Sequence, residues 1–268
     1  MPDIAPDAPP GSISYSSSGV ELVGVWTQAT LTFPDAKDAQ GNVATAVVPV
    51  LAVREKKVHS GAVNSSSHQP SLNPKIYMLG IGTGRGKVAR QDKNPWVNLN
   101  EMKAGTMRRG YTITPEGITL GLRREGVGDG YMFEKLKEHT GEVADAKAVQ
   151  GGVRDWDGSR GWVEVGGRRC QESSMLLDTG LTNMMIQAPE PEGDGPLADG
   201  TDVTVRLLSG RLSYSFQVGD RTNLATPSKV SWVRYSMPLV NTGLRTLALY
   251  DYLYDADAGY FGPRPRKK

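Results

Sequence analysis

A chain of 268 residues can bury one large core or two modest ones, and its 32 glycines and 17 prolines, with little helical periodicity, indicate a mainly β, turn-rich protein. A formal net charge of +2 is too small to favour binding to nucleic acid or to an anionic membrane surface. The single cysteine, Cys170, excludes an intrachain disulfide, and no apolar run is long enough for a transmembrane helix.

The first predicted element is a hairpin within residues 13–33, which has small residues at its turn and alternating apolar and polar residues in its second arm. A strongly β-branched strand follows at residues 43–53. Serine, asparagine and glutamine then dominate residues 56–74, which predicts a surface loop. Two histidines of this loop, His59 and His68, have no cysteine or acidic cluster at metal-ligand spacing, so we expect no metal site.

A glycine-rich segment at residues 75–87 resembles a phosphate-binding loop only superficially, because it lacks the Gly-Lys-Ser/Thr ending and no clear helix follows. Residues 110–122 predict two short strands around a Pro-Glu-Gly turn. The best helix candidate is residues 132–139, where Phe133 and Leu136 alternate with charged residues at helical spacing.

Further along the chain, residues 161–170 predict a strand and a Gly-Gly turn, and residues 203–218 predict a tight hairpin through Ser209-Gly210-Arg211.

The most informative stretch is residues 174–187, in which two solid apolar blocks flank the triplet Asp178-Thr179-Gly180. Such blocks predict two buried strands joined by a tight turn, whereas a surface hairpin usually alternates apolar with polar residues. A carboxylate in this setting needs hydrogen-bond donors or a neighbour that shares its proton. The alternative interpretation is an ordinary turn, since Asp and Gly are common in turns.

This stretch resembles the active-site loop of pepsin-like aspartic peptidases, in which two apolar residues precede Asp-Thr-Gly. The first hairpin is similar to the flap of that family, and the resemblance implies that Tyr15 is the flap tyrosine that closes over substrate. The triplet Met78-Leu79-Gly80 is similar to the apolar-apolar-Gly strand that, in each lobe of these peptidases, passes through the loop of the catalytic strand and braces it. Residues 237–262 resemble their closing segment, which implies an apolar strand, a short helix and a final hairpin, although Asn241-Thr242-Gly243 places the glycine two positions late.

The resemblance implies a pepsin-like acid protease fold of β-barrel lobes with an incomplete first lobe. Residues 1–145 would be the remainder of the N-terminal lobe, and residues 146–268 would be the C-terminal lobe with the Asp-Thr-Gly loop. It further implies an aspartic-type endopeptidase with no cofactor, in which Asp178 is catalytic, Thr179 and Gly180 support the loop and Gly80 belongs to a bracing strand. The partner would be a peptide or protein substrate, with no role for nucleic acid or membrane.

The family mechanism needs two carboxylates that share one proton, so that one activates water and the other polarises the peptide carbonyl. The sequence contains one Asp-Thr-Gly and no Asp-Ser-Gly, so we expect little or no activity from this chain alone. Three explanations are open: a chain that begins inside the first lobe, a non-catalytic relative that binds peptides, or two copies that pair their Asp178 loops. A homodimer is not favoured, because the extra first lobe would obstruct it.

The alternative function, from a different class, is a β-rich peptide-binding or surface-structural protein in which Asp-Thr-Gly is only a turn. Residues 1–10 have neither the basic start nor the apolar core of a signal peptide, although the resemblance implies a secreted or periplasmic protein.

Overall fold

The computed structural model describes residues 4–15, 19–58, 71–72, 75, 78–83, 90–122, 130–139, 152–189, 195–233 and 237–267. The fold is mainly β. The strands of these residues are β1 Pro10–Tyr15, β2 Val20–Lys37, β3 Val43–Val58, β4 Ser71–Leu72, β5 Arg108–Thr114, β6 Gly117–Leu122, β7 Glu134–Lys135, β8 Ser159–Val165, β9 Arg168–Arg169, β10 Ser173–Leu176, β11 Met184–Gln187, β12 Gly195–Pro196, β13 Asp202–Leu207, β14 Leu212–Gln217, β15 Val230–Trp232, β16 Leu239–Asn241, β17 Tyr250–Asp255 and β18 Tyr260–Pro265.

The helical elements of the described residues are short: α1 Asn100–Lys103 and the 3-10 turns Gln91–Lys93, Pro95–Val97 and Leu244–Ala248. None of the helices in the described ranges has the length and apolar character needed to cross a bilayer.

The first sheet has the strand order β1-β2-β3-β4 and contains the predicted first hairpin, in which β1 and β2 pair antiparallel from Pro10↔Val25 to Tyr15↔Val20. The turn of this hairpin, at residues 16–18, lies outside the described residues. One face of the sheet packs on the segment around α1, where Ala46, Val48, Leu99 and Met102 form a buried cluster. Most of the predicted loop at residues 56–74, including His59 and His68, also lies outside the described residues.

The second sheet has the order β12-β15-β11-β16-β10-β8-β13-β14, and β9 pairs with β8. The predicted Gly-Gly turn joins β8 to β9 with φ of +55° at Gly166 and +80° at Gly167, a two-residue hairpin turn that requires positive φ at both positions. The predicted hairpin at residues 203–218 is confirmed as the antiparallel pair β13–β14. The largest apolar core of the described residues lies against this sheet and includes Val163, Ile186 and Val205.

The third sheet, with the order β6-β5-β17-β18-β7, takes strands from both sides of the expected boundary at residue 145. The two strands predicted around Pro-Glu-Gly are β5 and β6, and the predicted final hairpin is β17–β18. A second core packs against this sheet around Trp96, Tyr111, Trp156 and Tyr254. Leu177, which precedes Asp178, packs against both cores.

The helix predicted at residues 132–139 is wrong, because this segment is extended and contains β7. The edge of β18 provides its backbone partners, with Lys135 opposite Tyr260 and Glu134 opposite Phe261. The Leu136 N–H also donates to the Gly259 carbonyl at 2.8 Å. Hydrogen bonds to an existing sheet edge therefore outweigh the weak helical preference of a segment this short.

Candidate functional site

Asp178 lies in the loop between β10 and β11, and β16 lies between these two strands. Met175 of β10 pairs in parallel with Val240, and Ile186 of β11 pairs antiparallel with the same residue. The segment after β16 continues through the loop, because the Thr242 N–H donates to the Leu176 carbonyl at 2.9 Å. The loop therefore encloses a strand that comes from about sixty residues further along the chain.

This arrangement satisfies the backbone of all three strands. β10 and β11 are both buried, so their inward N–H and C=O groups need partners, and β16 provides them on both sides. Gly243 makes the exit of β16 possible: its φ is +64°, and a Cβ at this position would lie 2.4 Å from the carbonyl oxygen of Asn183 and 2.8 Å from that of Leu181. A side chain at residue 243 would therefore force the strand out of the loop.

The Asp178 carboxylate is held by one hydrogen bond on each oxygen. The Gly180 N–H donates to Oδ1 at 3.0 Å, and the Asn241 side-chain amide donates from Nδ2 to Oδ2 at 2.9 Å. Asn241 is itself buried, with 5% of its surface exposed, and its Oδ1 accepts from the Gly243 N–H at 3.0 Å. Because both ends of the amide are engaged, Asn241 fixes the orientation of the Asp178 side chain.

The tip of this loop reaches the surface. Asp178 is half-buried, and Thr179 and Gly180 are exposed. Within the described residues, each carboxylate oxygen accepts one hydrogen bond and keeps acceptor capacity for another donor. Of the supporting residues predicted from the sequence, Gly180 contacts the carboxylate through its backbone. A substrate donor or a water molecule can therefore reach the Asp178 carboxylate near the exposed tip of the loop.

Within the described part of the chain, the hydrogen bonds to the Asp178 carboxylate come from Gly180 and Asn241, and no second carboxylate is bonded to it. A pair of carboxyl groups that share a proton is therefore not formed by these residues. A single carboxylate can act as a base or, when protonated, as an acid, but it cannot do both in one step.

Residues 78–83 are not in a strand, which differs from the strand predicted at Met78-Leu79-Gly80, and residues 76–77 lie outside the described residues. Gly80 is exposed, and a Cβ added there would meet no atom within 4 Å. The segment is held at Ile81, whose carbonyl accepts from the Tyr111 hydroxyl at 2.7 Å. A Cβ on Gly82 would lie 3.0 Å from Leu176, so the segment passes beside the end of β10. The bracing role of Gly80 stays a prediction.

The predicted flap residue Tyr15 is the last residue of β1 and donates a hydrogen bond from its hydroxyl to the sulfur of Met78, at 2.9 Å. This contact joins the end of the first hairpin to the segment that passes beside β10. The role of Tyr15 over a substrate stays a prediction.

A small cavity of about 40 Å³ lies beneath the Asp178 loop, between Ile81, Leu177 and Tyr254. This volume is enough for a few water molecules. The Tyr254 hydroxyl is buried and has no hydrogen-bond partner among the described residues. Burial also raises the pKa of Tyr254, so its hydroxyl stays protonated. The exposed tip of the loop, at Thr179 and Gly180, is on the surface that a ligand can reach.

Asn241 is the site residue that the sequence prediction missed. It stands where the family pattern predicted a glycine, and the only signal for it was the sequence Asn-Thr-Gly after two apolar residues. No group of three or more His, Cys, Asp or Glu side chains is placed to hold a metal ion within the described ranges.

Comparison of the sequence with protein-family models and with curated proteins finds no match.

Proposed function

We propose that this protein is related in structure and chemistry to the pepsin-like aspartic peptidases, with Asp178 as one of the two carboxylates used for peptide-bond hydrolysis. The observation that carries the proposal is the position of β16 between β10 and β11, with Asn241 bonded to the Asp178 carboxylate. An apolar strand that passes through the loop of the catalytic strand is the arrangement that the resemblance implies for each lobe of these peptidases.

The order of elements around the loop supports the same proposal. The hairpin β13–β14 follows the Asp178 loop, and the 3-10 turn Leu244–Ala248 and the hairpin β17–β18 follow β16. This is the order expected for a second lobe and its closing segment. Asp178 would accept a proton from the attacking water or hold one for the substrate carbonyl, depending on its partner carboxylate.

The sequence contains a single Asp-Thr-Gly, and no second carboxylate is bonded to Asp178 within the described residues. We therefore expect the chain alone to bind peptides in the region of Asp178 but to cleave them slowly or not at all. Pairing of two carboxyl groups would raise the pKa of one of them, which makes activity, where it occurs, greatest at acid pH.

A non-catalytic, β-rich peptide-binding protein is the second candidate. The observation in its favour is that Asn241, a neutral amide, occupies the hydrogen-bonding position next to Asp178. In such a protein the free acceptor capacity of Asp178 would bind a backbone or side-chain donor of the peptide without chemistry.

The test is to measure binding and cleavage of a peptide library by the purified chain between about pH 3 and pH 7. Asp178→Asn is compared with Asp220→Asn, because the Asp220 carboxylate also accepts a hydrogen bond from the backbone N–H two residues later. We expect binding that Asp178→Asn weakens and Asp220→Asn does not. Cleavage abolished by Asp178→Asn alone would show that the chain completes the site, for example by pairing with a second copy. Equal binding by both variants would refute a role for Asp178.

A further inference from the structure

Among the described residues, no strand covers the outer edge of β2 along more than half of its length. β2 has 18 residues, but β1 pairs with it only from Val20 to Val25. The last hydrogen bond across this edge runs from the Trp26 N–H to the Pro9 carbonyl, at 2.9 Å. In the part of the chain that the structure describes, no strand pairs with this edge beyond Trp26.

Alternation along the strand identifies the backbone groups at the uncovered edge. Because the Trp26 N–H points toward β1, the N–H and C=O groups of Gln28, Thr30 and Thr32 point in the same direction. Residues 27, 29, 31 and 33 direct theirs toward β3, with which β2 pairs without a break from Gly24 to Phe33. Three donors and three acceptors are therefore presented at a spacing of two residues.

The edge of β3 that faces away from β2 is partly covered, unlike the outer edge of β2. Ala46 forms a β-bridge with Leu99, and the Lys103 ammonium donates to the Val47 carbonyl, so the segment around α1 covers that edge at Ala46 and Val47. Natural proteins usually protect a bare edge with lysine or other charged residues. No charged residue occurs between Leu22 and Pro34, and the side chains of Gln28, Thr30 and Thr32 are exposed.

The uncovered edge has two ends. Pro9 and β1 close one end, and Pro34, which has no N–H, closes the other, next to a register shift between Phe33 and Lys37. Between them, residues 27–33 form what we call the β2 edge slot. At about 3.3 Å per residue the slot is roughly 23 Å long, enough for one strand of about seven residues.

We propose that the β2 edge slot binds a short, extended and uncharged segment of another polypeptide as an additional strand. Backbone hydrogen bonds to Gln28, Thr30 and Thr32 would supply the affinity, and the absence of charge favours a segment without Asp, Glu, Lys or Arg. A second copy of this chain fits less well. If the β2 strand of that copy paired with the slot, its 18 residues would extend past the end of the slot and meet β1, which occupies the same edge.

The test uses a peptide of about seven alternating threonines and valines with acetylated and amidated ends. Binding is measured by isothermal titration calorimetry, and backbone amide exchange is measured by NMR with and without the peptide. In the free protein we expect fast exchange at Gln28, Thr30 and Thr32 and slow exchange at Ala29 and Leu31. The bound peptide should slow exchange at the first three residues, because their N–H groups gain partners.

Thr30→Pro is the blocking variant, since it removes an N–H that points to the uncovered edge and proline is tolerated at such positions. Thr30→Val is its control, because it keeps the N–H and the β-branched shape. We expect Thr30→Pro to weaken binding roughly tenfold or more and Thr30→Val to leave it unchanged. Slow exchange at Ala29 and Leu31 in Thr30→Pro verifies that β2 and β3 remain paired.

Equal binding by the proline and valine variants would overturn the proposal, as would amides of Gln28, Thr30 and Thr32 that are already protected in the free protein. Sedimentation of the protein alone tests the competing occupant. Concentration-dependent dimers that Thr30→Pro abolishes would show that a second copy fills the slot, which also contradicts the proposal.

Discussion

Replacing Asn241 with aspartate would set a second carboxylate directly against Asp178. Asn241 Nδ2 lies 2.9 Å from Asp178 Oδ2, and Asn241 Oδ1 accepts from the Gly243 N–H. Asn241→Asp keeps the acceptor for Gly243 but replaces the donor to Asp178 with a second acceptor. Two carboxylate oxygens at this distance do not both stay ionised, so one must hold a proton in the folded protein.

The free-energy cost of holding this proton in the folded Asn241→Asp variant depends on the pH. A carboxyl group with an ordinary pKa of about 3.9 is protonated at pH 7 at a cost of about 4 kcal/mol, since each pKa unit corresponds to about 1.36 kcal/mol. This protonation cost of about 4 kcal/mol is an upper limit on the stability lost at pH 7. The half-exposed position of Asp178 lets solvent screen part of the repulsion between the two carboxylates, so the measured loss should be smaller. Near pH 4 the same cost approaches zero. The folded pKa of the pair is raised, so stability is retained at low pH and is lost as the pH rises through that value.

The assay is chemical denaturation at about pH 4 and about pH 7 of the wild type, Asn241→Asp, and the exchange variant Asp178→Asn/Asn241→Asp. The exchange restores one amide and one carboxylate, and it keeps acceptors for the N–H groups of Gly180 and Gly243. We expect it to recover most of the stability at pH 7. A loss of equal size at both pH values, or no recovery on exchange, would refute the role assigned to the Asn241–Asp178 contact.

Two further substitutions test the packing around the loop by the same denaturation assay. Gly243→Ala should lower the free energy of unfolding by about 3 kcal/mol or more, because its Cβ would meet the Asn183 carbonyl oxygen at 2.4 Å. The control Gly41→Ala, with a φ of +86° and open space around it, should lower it by only about 1 kcal/mol, through backbone strain. Similar losses in both variants would contradict the steric explanation. Tyr254→Phe should change stability by less than about 1 kcal/mol or increase it, since the removed hydroxyl is buried and has no hydrogen-bond partner in the described residues. A loss above about 2 kcal/mol would instead indicate an ordered water molecule bonded to that hydroxyl in the neighbouring cavity.

Hairpins were predicted well because their signals are local. The pairs β5–β6 and β13–β14 each join strands that are adjacent in sequence, and turn residues between two apolar or alternating runs are enough to identify them. The hairpin β17–β18 was expected from the family resemblance of the last residues. The Gly166-Gly167 turn is a further case, since only glycine takes positive φ at both positions without cost. Residues 132–139 were mispredicted for a non-local reason, as β18 offers them a sheet edge.

For the candidate site, the sequence by itself determined two buried strands around Asp178-Thr179-Gly180, because solid apolar blocks beside an acidic turn have few other interpretations. Only the tertiary structure placed β16 between those strands and Asn241 against the carboxylate, a contact between residues 63 positions apart. The physical reason is that the apolar pattern of β16 specifies burial but not a neighbour. Its place in the sheet is set by backbone hydrogen bonds that β10 and β11 leave unmade, which a one-dimensional pattern does not record.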